Sequence, residues 1–110
     1  MKTKTVPTTS EKWLERTSLL LDVQVDSVLA ERPEARRRLT PNQIDWFYNH
    51  VDQRFRYLHA LDPKWRKWTE DRNRQIDPRL QARVWIRHWL DAYLLDPERY
   101  QQRCPLESEQ

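Results

Sequence analysis

Three histidines and one cysteine are the residues of this 110-residue chain best suited to metal binding or proton transfer. His50 and His59 are nine positions apart, about two and a half helical turns, so on one helix they point to opposite sides. His88 has only Asp91 one turn away. No two histidines or cysteines take the i, i+4 spacing of a helical zinc site. We therefore expect no metal and no cofactor, with the histidines at the surface or half-buried.

Carboxylates and serines, the other common catalytic groups, are not arranged for catalysis in this sequence. Glu70 and Asp71 are adjacent and diverge on a helix. Asp45 and Asp52 share a face, but Asn49 between them makes that face polar and solvated. No serine has a neighbouring histidine. We predict that the chain is not an enzyme, although catalytic groups can also assemble across a fold.

The chain contains no glycine, whereas an average domain of this size carries about eight. Phosphate-binding loops, dinucleotide fingerprints and nucleophile elbows need glycine, because their backbone turns tightly or approaches a ligand closely. Two-residue β-hairpins also favour it. The composition argues against all-β and doubly wound α/β folds and favours an all-α protein.

The segment from Pro63 to Trp89 combines positive charge with tryptophan. Its net charge is +5, although that of the whole chain is +3, and it holds four of the six tryptophans. Arg79, Arg83 and Arg87 recur every fourth residue, which on a helix gives a basic stripe beside an aromatic face. The predicted partner-binding residues are Trp65, Trp68, Arg72, Arg79, Arg83 and Arg87.

Three interpretations of this segment remain open from the sequence. The tryptophans form a core and the arginines a solvated rim; or both build a protein interface, where these residue types are favoured; or arginine binds phosphates while tryptophan stacks on bases. A modest net charge and the absence of a recognisable nucleic-acid-binding motif weaken the third. Our leading prediction is a non-enzymatic helical adaptor or assembly factor that binds another protein. Nucleic acid is the alternative partner for the same surface.

The sequence also bears on the cellular location of the protein and on its association with membranes. No apolar run approaches the roughly 18 residues of a membrane-spanning helix, and residues 1–10 are polar without an apolar signal core. The single cysteine, Cys104, fits a thiol in a reducing compartment. We expect a cytoplasmic protein without integral membrane association. Its oligomeric state and the identity of its partner stay open.

The first half of the chain predicts two long helices. After a disordered arm over residues 1–8, apolar residues at helical spacing predict a first helix from about Thr9 to Glu31. Pro33 breaks or restarts the helix, and Arg36, Arg37 and Arg38 follow in a connector. A capping box with proline at the first helical position, Thr40-Pro41-Asn42-Gln43, predicts a second helix from Pro41 to about Leu61.

Three Asp-Pro pairs punctuate the second half: Asp62-Pro63, Asp77-Pro78 and Asp96-Pro97. Aspartate caps a helix start and proline fits the first turn without losing a hydrogen bond. The pairs predict a short third helix over residues 63–73, a fourth over 78–95 and a last turn over 97–103. Residues 104–110 are expected to form a flexible tail.

These elements predict one helical domain over residues 9–103. Its fold class is all-α, an irregular bundle of four main helices, the third one short, plus a short C-terminal helical turn. The residues predicted to be largely buried are Leu14, Leu21, Val25, Val28, Ile44, Tyr48, Val51, Phe55, Leu58, Ala82, Ile86, Trp89 and Leu90.

Overall fold

The structure is a computed structural model that describes residues 9–106, with side chains from Ser10 onward. Helices account for 85% of the described residues and no strand occurs among them, so the all-α class is confirmed. The helices are α1 (Thr9–Thr17), α2 (Leu21–Glu31), α3 (Pro33–Arg38), α4 (Pro41–Leu61), α5 (Pro63–Asn73), α6 (Pro78–Leu95) and α7 (Pro97–Arg103). The predicted arm over residues 1–8 and most of the predicted tail, residues 107–110, lie outside the described residues.

The predicted start of α4 is confirmed in detail. The Thr40 side chain accepts a hydrogen bond from the Gln43 backbone N–H at 3.1 Å. The Gln43 side chain accepts one from the Thr40 backbone N–H at 2.9 Å. This reciprocal pair satisfies two backbone donors that a helix start leaves without partners.

The three Asp-Pro pairs also begin helices as predicted. Asp62 accepts the backbone N–H of Trp65 at 3.0 Å and so caps α5. Asp77 and Asp96 cap α6 and α7 in the same way, accepting backbone N–H groups at 2.9 and 3.2 Å. The links between these helices are therefore short, and each aspartate fixes the direction in which the next helix leaves.

The prediction of one helix from Thr9 to Glu31 was wrong, because the chain turns sharply at Ser18. Ser18 takes a left-handed conformation with φ of 53°. Its N–H donates to the Glu15 carbonyl at 3.1 Å, and the Leu19 N–H donates to the Leu14 carbonyl at 3.1 Å. These two bonds form a Schellman motif, which normally has glycine at the left-handed position. With serine there, the sequence carries no clear stop signal.

The predicted connector after Pro33 is also a helix, α3. Pro33 occupies the first turn and so restarts the helix, one of the two outcomes expected for it. Ala35 is fully buried, and the Leu39 N–H bonds to its carbonyl at 3.2 Å. The three arginines that follow Ala35 are exposed, although Arg38 donates a hydrogen bond to the Leu94 carbonyl of α6 at 3.0 Å.

Helix α4 lies at the centre of the molecule and is covered on more than one side. Phe47, Val51 and Phe55 form its buried apolar stripe. His50 and His59 flank that stripe and are also buried, with 4% and 0% of their surface exposed. The prediction of surface or half-buried histidines was therefore wrong for these two, because neighbouring helices cover both sides of α4.

Most of the predicted core is confirmed. Nine of the predicted residues are buried, and Leu14, Ile44, Tyr48 and Leu58 are partly buried against that core. Further large side chains are buried although the predicted core did not include them. They include Trp13, Leu29, Phe47, Tyr93 and Leu94.

Helices α2 and α6 run side by side in the same direction. Three side-chain contacts occur in the same order along both helices: Gln24–Arg83, Glu31–Arg87 and Arg32–Asp91. A parallel pair cannot be joined by a short loop, so the intervening helices α3 to α5 return the chain. This arrangement is irregular, in agreement with the predicted bundle.

Candidate interaction surface

Four tryptophans meet where α5 packs beside α6. Trp65 and Trp68 come from α5, and Trp85 and Trp89 come from α6. The Trp85 ring centroid lies 6.3 Å from that of Trp65, 5.7 Å from Trp68 and 6.0 Å from Trp89. Such distances are typical of favourable aromatic pairs. Trp85 therefore joins a buried ring, Trp89, to an exposed one, Trp68.

The outer edge of this cluster borders an open, largely apolar groove, which we call the Trp68 groove. Its volume is about 340 Å³, and its lining residues are Trp68, Arg72, Ile76, Leu80, Gln81, Val84, Trp85 and His88. Exposure is 43% for Trp68, 51% for Leu80 and 58% for Val84. These three are among the few large hydrophobic side chains that the described part of the chain leaves in water.

The spacing along α6 explains the shape of the Trp68 groove. Leu80, Val84 and His88 recur every fourth residue, so they form one stripe along the helix surface. Ala82, Ile86 and Trp89 form the buried stripe on another side. Helix α6 is thus apolar on two faces, and only one of them is covered by the rest of the described chain.

Arg72 supplies positive charge at the rim of the groove. Its guanidinium carbon lies 5.1 Å from the centroid of the Trp68 ring, a cation–π arrangement. Within residues 10–106 no carboxylate pairs with Arg72. Its N–H donors therefore remain available beside an exposed indole.

The basic stripe of α6 does not line the Trp68 groove. Arg83 donates from Nε to the side-chain oxygen of Gln24 on α2 at 2.8 Å. Arg87 donates to both carboxylate oxygens of Glu31 at 2.9 and 3.0 Å. The same ion pair lowers the pKa of Glu31, chiefly through the hydrogen bond from Arg87. These two arginines hold α6 against α2.

Arg79 has a third, local role. Its guanidinium binds both carboxylate oxygens of Asp77, at 3.1 and 2.8 Å, beside the cap of its own helix. Of the six predicted partner-binding residues, only Trp68 and Arg72 line the groove. Their partner-binding role itself stays a prediction.

Trp65 faces the interior, contrary to the expectation that α5 presents it outward together with Trp68. Its ring meets Phe55 edge-on at 5.8 Å and packs against the core. Its indole Nε1 is buried and has no hydrogen-bond partner among the described residues. Trp65 is therefore partly buried at the inner side of the site, whereas Trp68 is exposed.

Sequence reasoning missed the apolar lining contributed by Ile76, Leu80 and Val84. The signal was present, since Leu80 and Val84 are four residues apart and fall off the predicted core stripe of α6. The predicted partner-binding residues were chosen for charge or aromatic character, and neither Leu80 nor Val84 has either. An apolar pair on the second face of an amphipathic helix is a direct indication of a surface that another element covers.

The two buried histidines do not form a reactive site in this geometry. Burial lowers the pKa of His50 to about 4, with a smaller effect from Arg54. Its Nε2 lies 3.0 Å from the Tyr100 hydroxyl, and burial raises the pKa of Tyr100 to about 12. Both groups are neutral at pH 7. A histidine with so low a pKa is a weak general base.

His59 stacks on Trp13 at 4.5 Å between ring centroids. Burial is the main cause that lowers its pKa, although Glu70, with Oε2 at 3.6 Å from Nε2, acts in the opposite direction.

Across residues 10–106, no three His, Cys, Asp or Glu side chains are grouped so that they could hold a metal ion. None of the described helices is long and apolar enough to cross a membrane.

No protein-family model, curated protein or solved structure matches this chain. Any assignment of function therefore rests on the residues and geometry described above.

Proposed function

We propose that this chain is a non-enzymatic adaptor or assembly factor that binds another protein through the Trp68 groove. The observation that carries the proposal is the exposure of Trp68, Leu80 and Val84 along one groove. Contiguous apolar surface of this kind marks interaction sites in proteins, because leaving it in water is unfavourable. Trp68 and Arg72 are also residue types that dominate binding energy at protein interfaces.

The groove favours a helical segment of the partner. Leu80 and His88 are eight residues apart, so this stripe extends about 12 Å along α6, close to two helical turns. An amphipathic helix fills such a groove with apolar residues at i, i+3 or i+4. Arg72 at the rim has no acidic partner among residues 10–106, so a carboxylate on the incoming helix provides matching charge.

Nucleic acid, the alternative partner, receives less support from the same surface. Arg83 and Arg87 bind side chains of α2, and Arg79 binds Asp77, so a phosphate would compete with these partners for the three arginines. Arg72 is the one arginine that lines the Trp68 groove. Single-strand binding normally combines stacking with a positively charged groove that follows the backbone.

The proposal is tested by selection from a library of displayed peptides. Each peptide is about 12 residues long, which is about three helical turns. Peptides that bind the chain are counter-selected against the Trp68→Ala variant. We expect enriched peptides to share apolar residues at helical spacing and at least one acidic residue. Enrichment of peptides that bind both chains equally, or of none, would contradict the proposal.

A further inference from the structure

A second cavity lies at the other end of the aromatic cluster, where α4 meets the chain after α7. Its volume is about 560 Å³, within the roughly 300–1,000 Å³ of small-molecule sites. The lining residues are His50, Gln53, Arg54, Arg56, Tyr57, Arg103, Cys104, Pro105 and Leu106. They include three arginines and no carboxylate. We call this the arginine cavity.

Arg54 is the most unusual of these residues. Its guanidinium lies over the Trp89 ring at 5.0 Å. Its Nε is buried and has no hydrogen-bond partner among the described residues. A guanidinium donor withdrawn from water without an acceptor is unfavourable. Its positive charge also contributes to the low pKa of the neighbouring His50.

The other two arginines differ in how far their charge is compensated. Arg56 pairs with Asp52 at 3.0 Å on its own helix. Arg103, at the end of α7, is exposed and has no ion-pair partner within the described residues. Arg54 of α4 and Arg103 at the end of α7 therefore bring to the arginine cavity two positive charges that no carboxylate among the described residues compensates.

From this geometry we infer that the arginine cavity binds a small organic anion through carboxylate or phosphate oxygens. Arg54 and Arg103 donate to the oxyanion, since the planar guanidinium fork matches both groups. Tyr57, Pro105 and Leu106 contact the remaining, less polar part of the ligand. This site is separate from the Trp68 groove, and the inference does not depend on the proposed partner.

Cys104 provides a reporter, because it is the one cysteine of the chain and lines the cavity. The rate of its alkylation by neutral N-ethylmaleimide is measured in the full chain at constant ionic strength. The added probes are AMP, citrate and inorganic phosphate, with adenosine as the neutral counterpart of AMP. We expect AMP or citrate to slow the reaction saturably, while adenosine does not.

Arg103→Gln carries the test, because this exposed side chain has no partner in the described part of the chain whose loss would unfold the protein. We expect it to weaken protection at least tenfold, which corresponds to about 1.4 kcal/mol. Arg99→Gln, an exposed arginine of α7 that does not line the cavity, is the matched control and should leave protection unchanged. Arg54→Lys keeps the charge but loses the fork, and should also weaken protection.

Two outcomes overturn the inference. One is that none of the three anions protects Cys104 saturably at concentrations up to about 10 mM. Binding that needs a higher concentration is weaker than ordinary specific binding. This titration is repeated in the Glu107→Gln and Glu109→Gln variants, so that carboxylates following Leu106 in the sequence do not compete with the added anions for the arginines. The other is equal protection in Arg103→Gln and Arg99→Gln, which would show general charge screening. Protection by AMP and phosphate but not citrate identifies a phosphate ligand, and the reverse a carboxylate.

Discussion

Arg83 of α6 donates a hydrogen bond to the side chain of Gln24 on α2, although 59 positions separate them in the sequence. Gln24 is buried, with 2% of its surface exposed. A residue chosen from the sequence as part of a partner-binding stripe thus joins two helices of the same chain. Whether Arg83 stabilises the fold or binds a partner can be measured by replacing it.

Replacing Arg83 by alanine should destabilise the protein without affecting partner binding. The change leaves the buried Gln24 oxygen without its donor, which costs about 1–3 kcal/mol. Urea unfolding measures the loss, with Arg37→Ala, an exposed arginine of α3, as the control. If Arg83→Ala removed binding while leaving the free energy of unfolding unchanged, the stripe would belong to the interface after all.

Ser18→Gly should stabilise the protein by about 0.5–1 kcal/mol. The left-handed conformation of Ser18 strains any residue with a Cβ, and glycine adopts it at little cost. Ser27→Gly, in the middle of α2, should have the opposite effect of similar size, since glycine weakens a helix interior. Thermal unfolding of both variants checks the prediction. Destabilisation by Ser18→Gly would contradict the left-handed conformation assigned to Ser18.

The sequence predicted those boundaries that side-chain chemistry marks directly. The start of α4 and the three Asp-Pro starts carry their caps within four residues, so local physics decides them. The end of α1 depends on backbone conformation at Ser18, where no glycine announces it. The core faces of α4 could not be read completely, because burial of His50 and His59 depends on which helices pack beside them.

The candidate site was predictable only in part, for a similar reason. Trp68 and Arg72 were found from residue type. Whether Arg83 and Arg87 face solvent depends on the register between α2 and α6, which are far apart in the sequence. The inward position of Trp65 depends on Phe55 of α4 in the same way. Residue types indicate a surface, but the packing decides which of them remain on it.

Stability should fall as the pH is lowered from about 6.5 to about 4, because of His50. Its pKa in the folded protein is about 4, below its ordinary value of 6.5. Between these values the unfolded chain binds the proton and the folded chain does not, so protonation favours unfolding. The contribution is at most about 3 kcal/mol at pH 4, at 1.36 kcal/mol per unit. The lowered pKa of buried His59 acts in the same direction.

Urea unfolding at pH 7 and pH 5 measures this dependence. The His50→Gln variant should lose less stability between the two pH values than the unsubstituted protein, since glutamine does not titrate. An identical slope in the unsubstituted protein and His50→Gln would contradict the assigned burial of this imidazole.

The two tryptophans of α5 should respond differently to truncation. Trp65→Ala should cost about 3 kcal/mol, because the ring packs on Phe55 and Trp85. Trp68→Ala should cost less than about 1 kcal/mol, as exposed substitutions usually do. Chemical unfolding of the two variants gives both values. Equal losses would mean that Trp68 belongs to the core and that the groove has no exposed anchor.

The most direct test of the proposed function compares the affinity of Val84→Asp and Val23→Asp for a purified partner. The partner is first captured from nuclease-treated lysate by the unsubstituted chain. Val84 lines the Trp68 groove and Val23 does not, yet both are exposed helix valines, at 58% and 48%. We expect at least a tenfold loss of affinity for Val84→Asp only, about 1.4 kcal/mol. Affinity of the unsubstituted chain should change little between about 50 and 200 mM salt, since apolar burial is not screened. Equal affinities of the two variants, or binding that needs nucleic acid and falls about a thousandfold over that salt range, would contradict it.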